Sequence, residues 1–501
     1  MEINKNNGEL DKIIKRYQSN PFMYVEYPHK KFWNKKFENL DETKENFKES
    51  IIKNKDKKFL FYVHIPHCHT QCLYCTCHVE ITKDYSRVKR FLDYLYKELD
   101  MLNSIFEEIK FKPNFTDFHL GGGSPTYPKI EDFDILIDKL SKFADLRNLN
   151  EFSIEIDPRR VKEDKIEYYH SKGINRISLG VQEFDPEVQK MINRVQPDKL
   201  IERILTPKIR KLFKHGINFD IICGLPGQNL KNFEQTVKKI INFHPDRICL
   251  NYMHLSTKFH PHQLRMPKDK IPDENLRKEL FSLASNLLED NHYARAGYDH
   301  FVSKDDKLYD ELKDNKLKWN RLGIVTGNYE NIIGAGVSSV GKIEGDFYYQ
   351  NTFENDEYEK LLSQNKLPIS NYHVMSGEDK LREEIIQSLR TYFYLDIKQI
   401  EKTSAKKKFV LVIFIDGFGS SWFQMTNINK LIPIIKLTTI YANFSVAPLP
   451  PLPSLSSSSL LSSPSLSLSP LRTRRASLCS SICPSLKASS STLAIYILRP
   501  E

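Results

Sequence analysis

The sequence predicts an α/β fold, a partial (β/α)6 barrel with an N-terminal arm before it and a mostly helical region after it. Three observations predict this. Short apolar runs alternate with amphipathic stretches from Phe59 to Tyr252, the pattern of βα units around a parallel sheet. Six such units are visible, which fits a partial barrel better than a complete eight-unit one. The residues that carry chemistry fall at the ends of the apolar runs, where a parallel barrel builds its site.

In order along the chain, residues 1–56 are polar and charged with a Tyr/Pro-bearing stretch at Tyr24–Lys30, and read as an arm with some helix. Residues 57–255 hold the barrel. Its strands are predicted at Phe59–Ile65, Thr116–Leu120, Phe152–Ile156, Arg176–Val181, Phe219–Cys223 and Arg247–Tyr252. Helix-like stretches lie between them, including Val88–Met101 and Glu187–Asn193. Residues 256–404 extend the barrel, with helices expected at Asp273–Asn291 and Glu378–Arg390 and a tight loop near a strand at Ile332–Gly341. Near Ser404 the character changes. Residues 405–447 read as an isolated strand/helix remnant around the apolar run from Phe409 to Ile415. Residues 448–501 form a Pro/Ser/Leu-rich tail, almost without acid over 448–492, for which disorder is expected.

Composition excludes several classes. With 40% hydrophobic and 28% charged residues in 501, the chain reads as a soluble globular enzyme. Its polar N-terminus shows no secretory signal, and Phe409–Ile415 is its longest apolar run, far short of the roughly 20 residues that span a bilayer. A cytoplasmic protein without a membrane span is expected, and a monomer. The net charge of +10 hints at an anionic partner. However, residues 405–501 hold ten Lys/Arg and two acids, so they supply eight of the ten charges and leave residues 1–404 at +2. No nucleic-acid partner is therefore expected.

Eight cysteines are too few for a disulfide framework, and four of them lie within ten residues. The segment from Tyr62 through Cys77 follows an apolar strand directly and spaces Cys68, Cys72 and Cys75 as C-x3-C-x2-C. Three thiolates on one short loop suit a cubane iron–sulfur cluster with one iron left open, as a reactive site needs. A structural zinc loop is the alternative, but it wants a second separated ligand pair, which this stretch lacks although His67, His69 and His78 stand nearby. Cys223 and Cys249 sit alone at strand ends and read as small buried apolar residues.

C-x3-C-x2-C after the first barrel strand is the signature of radical S-adenosylmethionine (SAM) enzymes. The longer string from Tyr62 to Cys77 resembles the oxygen-independent coproporphyrinogen III oxidase (dehydrogenase) family, and Cys77 favours the oxidase side over the related haem chaperones. Later blocks carry the same resemblance: Leu120-Gly121-Gly122-Gly123-Ser124-Pro125, Ser153–Arg159 with Glu155, Gly180–Phe184, Asn193-Arg194, Asp220–Gly227, Asn251–Leu255, Gly297–Phe301 and Gly334–Ser338. It covers about residues 10–404.

The resemblance implies a radical SAM barrel holding a [4Fe-4S] cluster on Cys68, Cys72 and Cys75, with two molecules of SAM. Tyr62, Gly122, Glu155, Met253 and Val340 occupy the first SAM's positions, and Tyr74 joins the cofactor-binding set. Gly123, Ser124, Gln182, Arg194 and Asp220 occupy the second's. Tyr62 and Glu155 are also the catalytic candidates. On residue type alone, Glu155 is an ordinary strand-end carboxylate, Arg194 a surface ion-pair partner and Asp220 a loop residue. The implied reaction takes one electron from a flavodoxin- or ferredoxin-like donor, cleaves SAM to a 5′-deoxyadenosyl radical and removes hydrogen from propionate β-carbons of a porphyrinogen. Loss of CO2 then leaves vinyl groups.

Three stretches depart from the family pattern: Phe22–Pro28 and Trp319–Thr326, both candidate substrate contacts, and a C-terminal domain that stops near Ile400, leaving the barrel mouth less covered. Arg194 and Arg321 are candidate partners for substrate carboxylates. The rival functions are a methyltransferase or haem-ring-opening enzyme of the same branch, or a non-catalytic haem chaperone. Val410–Gly419 weakly resembles the first strand of alkaline-phosphatase-like phosphodiesterases, without their further metal ligands.

Overall fold

The run Lys58–Ile65 (β1) is apolar on both faces, and only Lys58 and Tyr62 along it escape full burial. A strand covered on both sides reads as such a continuous run, and β1 is the pivot of the sheet. It belongs to a computed structural model that describes residues 27, 28, 33, 40–320, 322–325, 329–396, 410–416 and 492–498. Five strands follow in parallel, each paired with the one before: Asn114–Gly122 (β2), Glu151–Ile156 (β3), Arg176–Gln182 (β4), Ile217–Cys223 (β5) and Arg247–Tyr252 (β6). All six expected strands form, with ends shifted by up to two residues.

Before the barrel lies Leu40–Lys53 (α1), the helix expected in the arm. After β1 and the cysteine loop comes Tyr85–Glu108 (α2), longer than expected at both ends. The Asp84 side chain accepts from Ser86 N at its start, and the apolar stripe runs on through Leu102, Ile105 and Phe106. Leu230–Asn242 (α3) opens on a capping box in which Asn229 and Asn232 satisfy each other's backbone N–H. The helix expected at Glu187–Asn193 spans Pro186–Met191 and is capped by Asp185. Inside, Phe61 packs against Phe115, Phe118 and Phe143 with ring centroids 5.4, 5.4 and 4.8 Å away.

The region after the barrel contributes more strand than its sequence suggested. Glu274–Asp290 (α4) and Gly377–Tyr392 (α5) match the two expected helices. Six strands join the same sheet: Tyr293–Ala296 (β7), His300–Ser303 (β8), Asn331–Ala335 (β9), Val340–Ile343 (β10), Phe347–Asn351 (β11) and Ile369–Val374 (β12). The order is β12-β11-β10-β9-β1-β2-β3-β4-β5-β6-β8-β7, an open sheet in which β9 runs parallel to β1. The stretch expected as a loop at 332–341 is thus two strands turned by Gly336 at φ +95°, where a Cβ would meet His64 O at 2.2 Å.

At the opposite end of the barrel from the cysteines, Glu151 receives Arg176 at 2.7 Å and Arg247 at 2.8 Å, and Arg247 also holds Asp306 at 2.7 Å. Burial alone would raise the Glu151 carboxyl, but the two guanidiniums hold it well below the usual range. This network is structural. The arm is fastened to α5, since Tyr27 Oη donates to Asp379 at 2.5 Å.

Glu26–Tyr392 forms one compact unit, and Met1–Val25 with Phe393–Glu501 forms a second. In the second unit Val410–Asp416 pairs antiparallel with Thr492–Leu498. The latter strand departs from the disorder expected for 448–501; the Thr-Leu-Ala-Ile-Tyr-Ile-Leu run is β-favouring, unlike the Ser/Pro-rich residues before it. The rest of that tail, residues 22–26, Arg321 and 326–328 lie outside the described residues. Among the described residues no helix is long and apolar enough to cross a membrane.

Candidate active site

The cysteine loop leaves β1 at Pro66 and is closed at its base by Glu80 N to Pro66 O (2.7 Å) and Thr82 N to Cys68 O (3.0 Å). One flank is tied to the turn after β4: Leu73 N donates to Ile192 O (3.0 Å) and Asn193 Nδ2 to Gln71 O (2.8 Å). The other is tied to the segment after β6, where His262 Nε2 lies 2.7 Å from Cys75 O and Gln263 Nε2 donates to Tyr74 O at 3.2 Å. These bonds brace both flanks of the loop.

Cys68, Cys72 and Cys75 carry free thiols. Burial, with the Cys75 and Cys72 thiols adding to it, pushes Cys68 up to about 12. A hydrogen bond from Cys77 holds Cys75 below the ordinary thiol value, and the same bond pushes Cys77 far up. Two guanidiniums address Cys72 Sγ: Arg194 Nη1 at 3.4 Å and Arg159 Nη2 at 3.6 Å, with Asp157 pairing both. Arg194 is buried, so its charge is felt strongly at the sulfur.

This donor set fits an iron–sulfur cluster. A single tetrahedral zinc with bonds of about 2.3 Å holds its sulfurs within about 4 Å of one another. Among the described residues, the one trio of Cys, His or acid groups with ligand atoms all within 4.8 Å is Cys249, Asp299 and His300, not the three loop cysteines. The wider spacing suits three separate irons, and the two cations offset the charge such a group carries.

Beside the loop, Gly123 N donates to Ile65 O at 2.8 Å. A Cβ on Gly123 would lie 2.6 Å from Pro66 O, and one on Gly122, at φ +112°, would lie 2.8 Å from the His64 ring. These glycines are thus required first by the close approach of the loop to β1. Ser124 is buried, 3.3 Å from Thr126 Oγ1.

Along the inner face, register pairs Tyr62 with His119 and His119 with Ser153. The Tyr62 ring stacks on His119 at 5.8 Å, and its hydroxyl hydrogen-bonds His64 Nδ1 at 2.9 Å. Burial pushes the Tyr62 hydroxyl far up, with Glu155 adding to the effect. Glu155 accepts from His119 Nε2 at 3.1 Å and from Gly122 N at 3.3 Å. Tyr62, Gly122 and Glu155 therefore form one group, with His119 as the member that sequence reasoning missed. Its signal was position: His119 precedes Gly121 by two on a strand and shares its face.

The further candidates lie alongside. Arg194 Nη2 donates to Gly180 O at 2.6 Å. Gln182, at φ +66° beside a register shift, brings its amide near the same glycine. Asp220 accepts from Ser178 Oγ at 2.7 Å and Asn218 Nδ2 at 3.0 Å, and burial raises its carboxyl. Met253 packs in a core cluster with Leu73 and Met266, against which Tyr74 lies; burial pushes the Tyr74 hydroxyl far up although Arg194 opposes it. Val340 is more remote: its backbone packs against Gly334, the register partner of Tyr62. Cys249 is buried and contacts Asn251 Oδ1 at 3.4 Å; Cys223 is buried too.

Residues 62–240 match the radical SAM superfamily. The chain is 33% identical over 380 residues to the oxygen-independent coproporphyrinogen III oxidase of Helicobacter pylori strain J99, across 72% of this chain and 80% of that one. The chain belongs to the oxygen-independent coproporphyrinogen III oxidase family. The Pseudomonas aeruginosa member is 34% identical over 344 residues, 68% of this chain and 73% of its own. The solved structure of Escherichia coli coproporphyrinogen III oxidase HemN, a radical SAM enzyme, superposes with a TM-score of 0.69 at 27% identity over 78% of this chain and 86% of that one. Membership of the radical SAM superfamily brings a [4Fe-4S] cluster and SAM as cofactors.

Proposed function

We propose that this chain is a radical SAM oxidoreductase of haem biosynthesis that oxidatively decarboxylates propionates of coproporphyrinogen III to vinyls, giving protoporphyrinogen IX without oxygen. The observation that carries this reading is the loop of Cys68, Cys72 and Cys75 fixed beside the Tyr62–His119–Glu155 group, in a chain with the family identity above. When bound, cluster and SAM supply one-electron cleavage of SAM to methionine and a radical able to take hydrogen from a propionate β-carbon.

The chain's own residues bind and orient. Cys68, Cys72 and Cys75 would hold the cluster, with Arg159 and Arg194 compensating charge at Cys72. Gly122 and Glu155 would receive one SAM, with Glu155 held ready to accept by His119. Tyr62, Tyr74, Met253 and Val340 would border that site and exclude water. Gly123, Ser124, Gln182, Arg194 and Asp220 would take a second SAM. We further place the protein in the cytoplasm, as a monomer served by a flavodoxin- or ferredoxin-like reductant.

The test is Cys72→Ala in anaerobically purified protein. Iron and sulfide content and the cleavage of SAM to 5′-deoxyadenosine both vanish on this reading. Retained iron with retained cleavage would sink it.

A further inference from the structure

After β6 the chain runs over residues 254–271 beside the cysteine loop. Three apolar side chains there face water: Phe259 is 73% exposed, Leu264 51% and Leu255 41%. Exposed cations accompany them. Lys258 Nζ lies 5.8 Å from the Phe259 ring centroid, and Lys258, Arg265 and Lys268 form no ion pair among the described residues. The segment's one acid, Asp269, is taken by Lys270 at 3.5 Å. In a body whose net charge is only +2, this is a local basic and apolar ledge.

The ledge is built into the cysteine loop. His262 and Gln263 bond to the carbonyls of Cys75 and Tyr74, Gln263 also bonds to His254 O at 2.8 Å, and Met266 packs with Leu73 in the core beneath.

We propose that residues 254–271 form the docking surface for the protein that reduces the cluster, a small acidic one-electron carrier. This rests on the reading of Cys68, Cys72 and Cys75 as cluster ligands. Three features favour such a partner. Electron-transfer contacts are small and transient, which suits a short ledge. Opposite charge speeds encounter at low salt. An exposed aromatic flanked by cations is the composition of a protein contact's centre and rim. In the step served, the reduced carrier gives up one electron, the cluster takes it up, and no bond or proton changes hands at the interface.

The test compares the unmodified chain with Lys258→Glu/Lys268→Glu and with Phe259→Ala, all cluster-loaded, using a purified flavodoxin of strongly negative charge as probe. 5′-Deoxyadenosine formation is followed with reduced flavodoxin or with dithionite. Carbodiimide crosslinks between flavodoxin and the chain are mapped by mass spectrometry. The expected result is at least a tenfold loss with flavodoxin in the charge-reversed variant, and no change with dithionite. Crosslinks in the unmodified chain map to Lys258 and Lys268 and fade at about 0.5 M salt. Equal loss with both reductants, undiminished reduction by flavodoxin, crosslinks elsewhere, or a change confined to KM for coproporphyrinogen would each overturn the proposal; the last would make the ledge a substrate contact. Failure of the unmodified chain to cleave SAM even with dithionite would overturn the cluster reading itself, and the docking proposal with it.

Discussion

His119 shows how a single side chain can set the chemistry of its neighbours. It bonds to Ser153 Oγ at 2.6 Å on one side and to Glu155 on the other, under the stacked Tyr62 ring. A carboxylate only accepts, so Nε2 donates to it. Loss of a hydrogen bond to a charged group costs about 1.5–3 kcal/mol. His119→Ala is therefore expected to weaken equilibrium SAM binding by roughly tenfold or more, and His119→Gln to recover part of it. Calorimetric titration of cluster-loaded protein with SAM checks this; equal binding by His119→Ala would show that Glu155 needs no support. At this scale the sequence was informative where spacing was local. Cys68, Cys72 and Cys75 lie within eight residues, whereas the approach of Arg159 to Cys72 spans 87 positions and is created only when β3 packs beside β2.

At the scale of elements, α2 is tied to the strands added beyond β1 by one buried carboxyl. Glu98 accepts from Gly336 N and Asn351 Nδ2, each at 2.7 Å, and from Tyr358 Oη at 2.5 Å. Burial nevertheless raises its pKa to about 7, outweighing these three donors. An acid whose folded pKa lies above its unfolded one keeps its proton longer when folded. Glu98 therefore costs no stability below about pH 4.5, and its cost grows as pH rises from there to about 7, to at most about 3 kcal/mol. Denaturant unfolding between pH 5 and 8 is expected to lose that component of its slope in Glu98→Gln. An unchanged slope would assign the titration elsewhere. The six barrel strands were legible because their apolar runs are continuous or nearly so. The strands at 331–351 were not, because Gly334, Gly336 and Gly341 break the apolar pattern while serving close strand contacts: a Cβ at Gly334 would meet Val340 O at 2.5 Å, and one at Gly341 would run into the Tyr349 ring.

For the whole molecule, the candidate site lies wholly within Glu26–Tyr392, while the positive charge is concentrated in residues 405–501. A chain ending at residue 404 is expected to keep its iron content and its rate of SAM cleavage within about twofold, since every residue placed in the site belongs to Glu26–Tyr392. Iron analysis and 5′-deoxyadenosine assay of the shortened chain check this. A large loss would give the tail a part in the enzyme. Family and reaction class were legible because the motifs sit at successive strand ends of one sheet, and the fold places them on one side of it. The segment after β6 was not, since neither its exposure nor its bonds to Cys75 and Tyr74 have any local sequence pattern. The most direct measurement is product analysis after anaerobic incubation of the cluster-loaded chain with coproporphyrinogen III, SAM and reductant. Protoporphyrinogen IX with one CO2 released per propionate converted is the predicted result; unconverted substrate, a methylated product or an opened tetrapyrrole would contradict it.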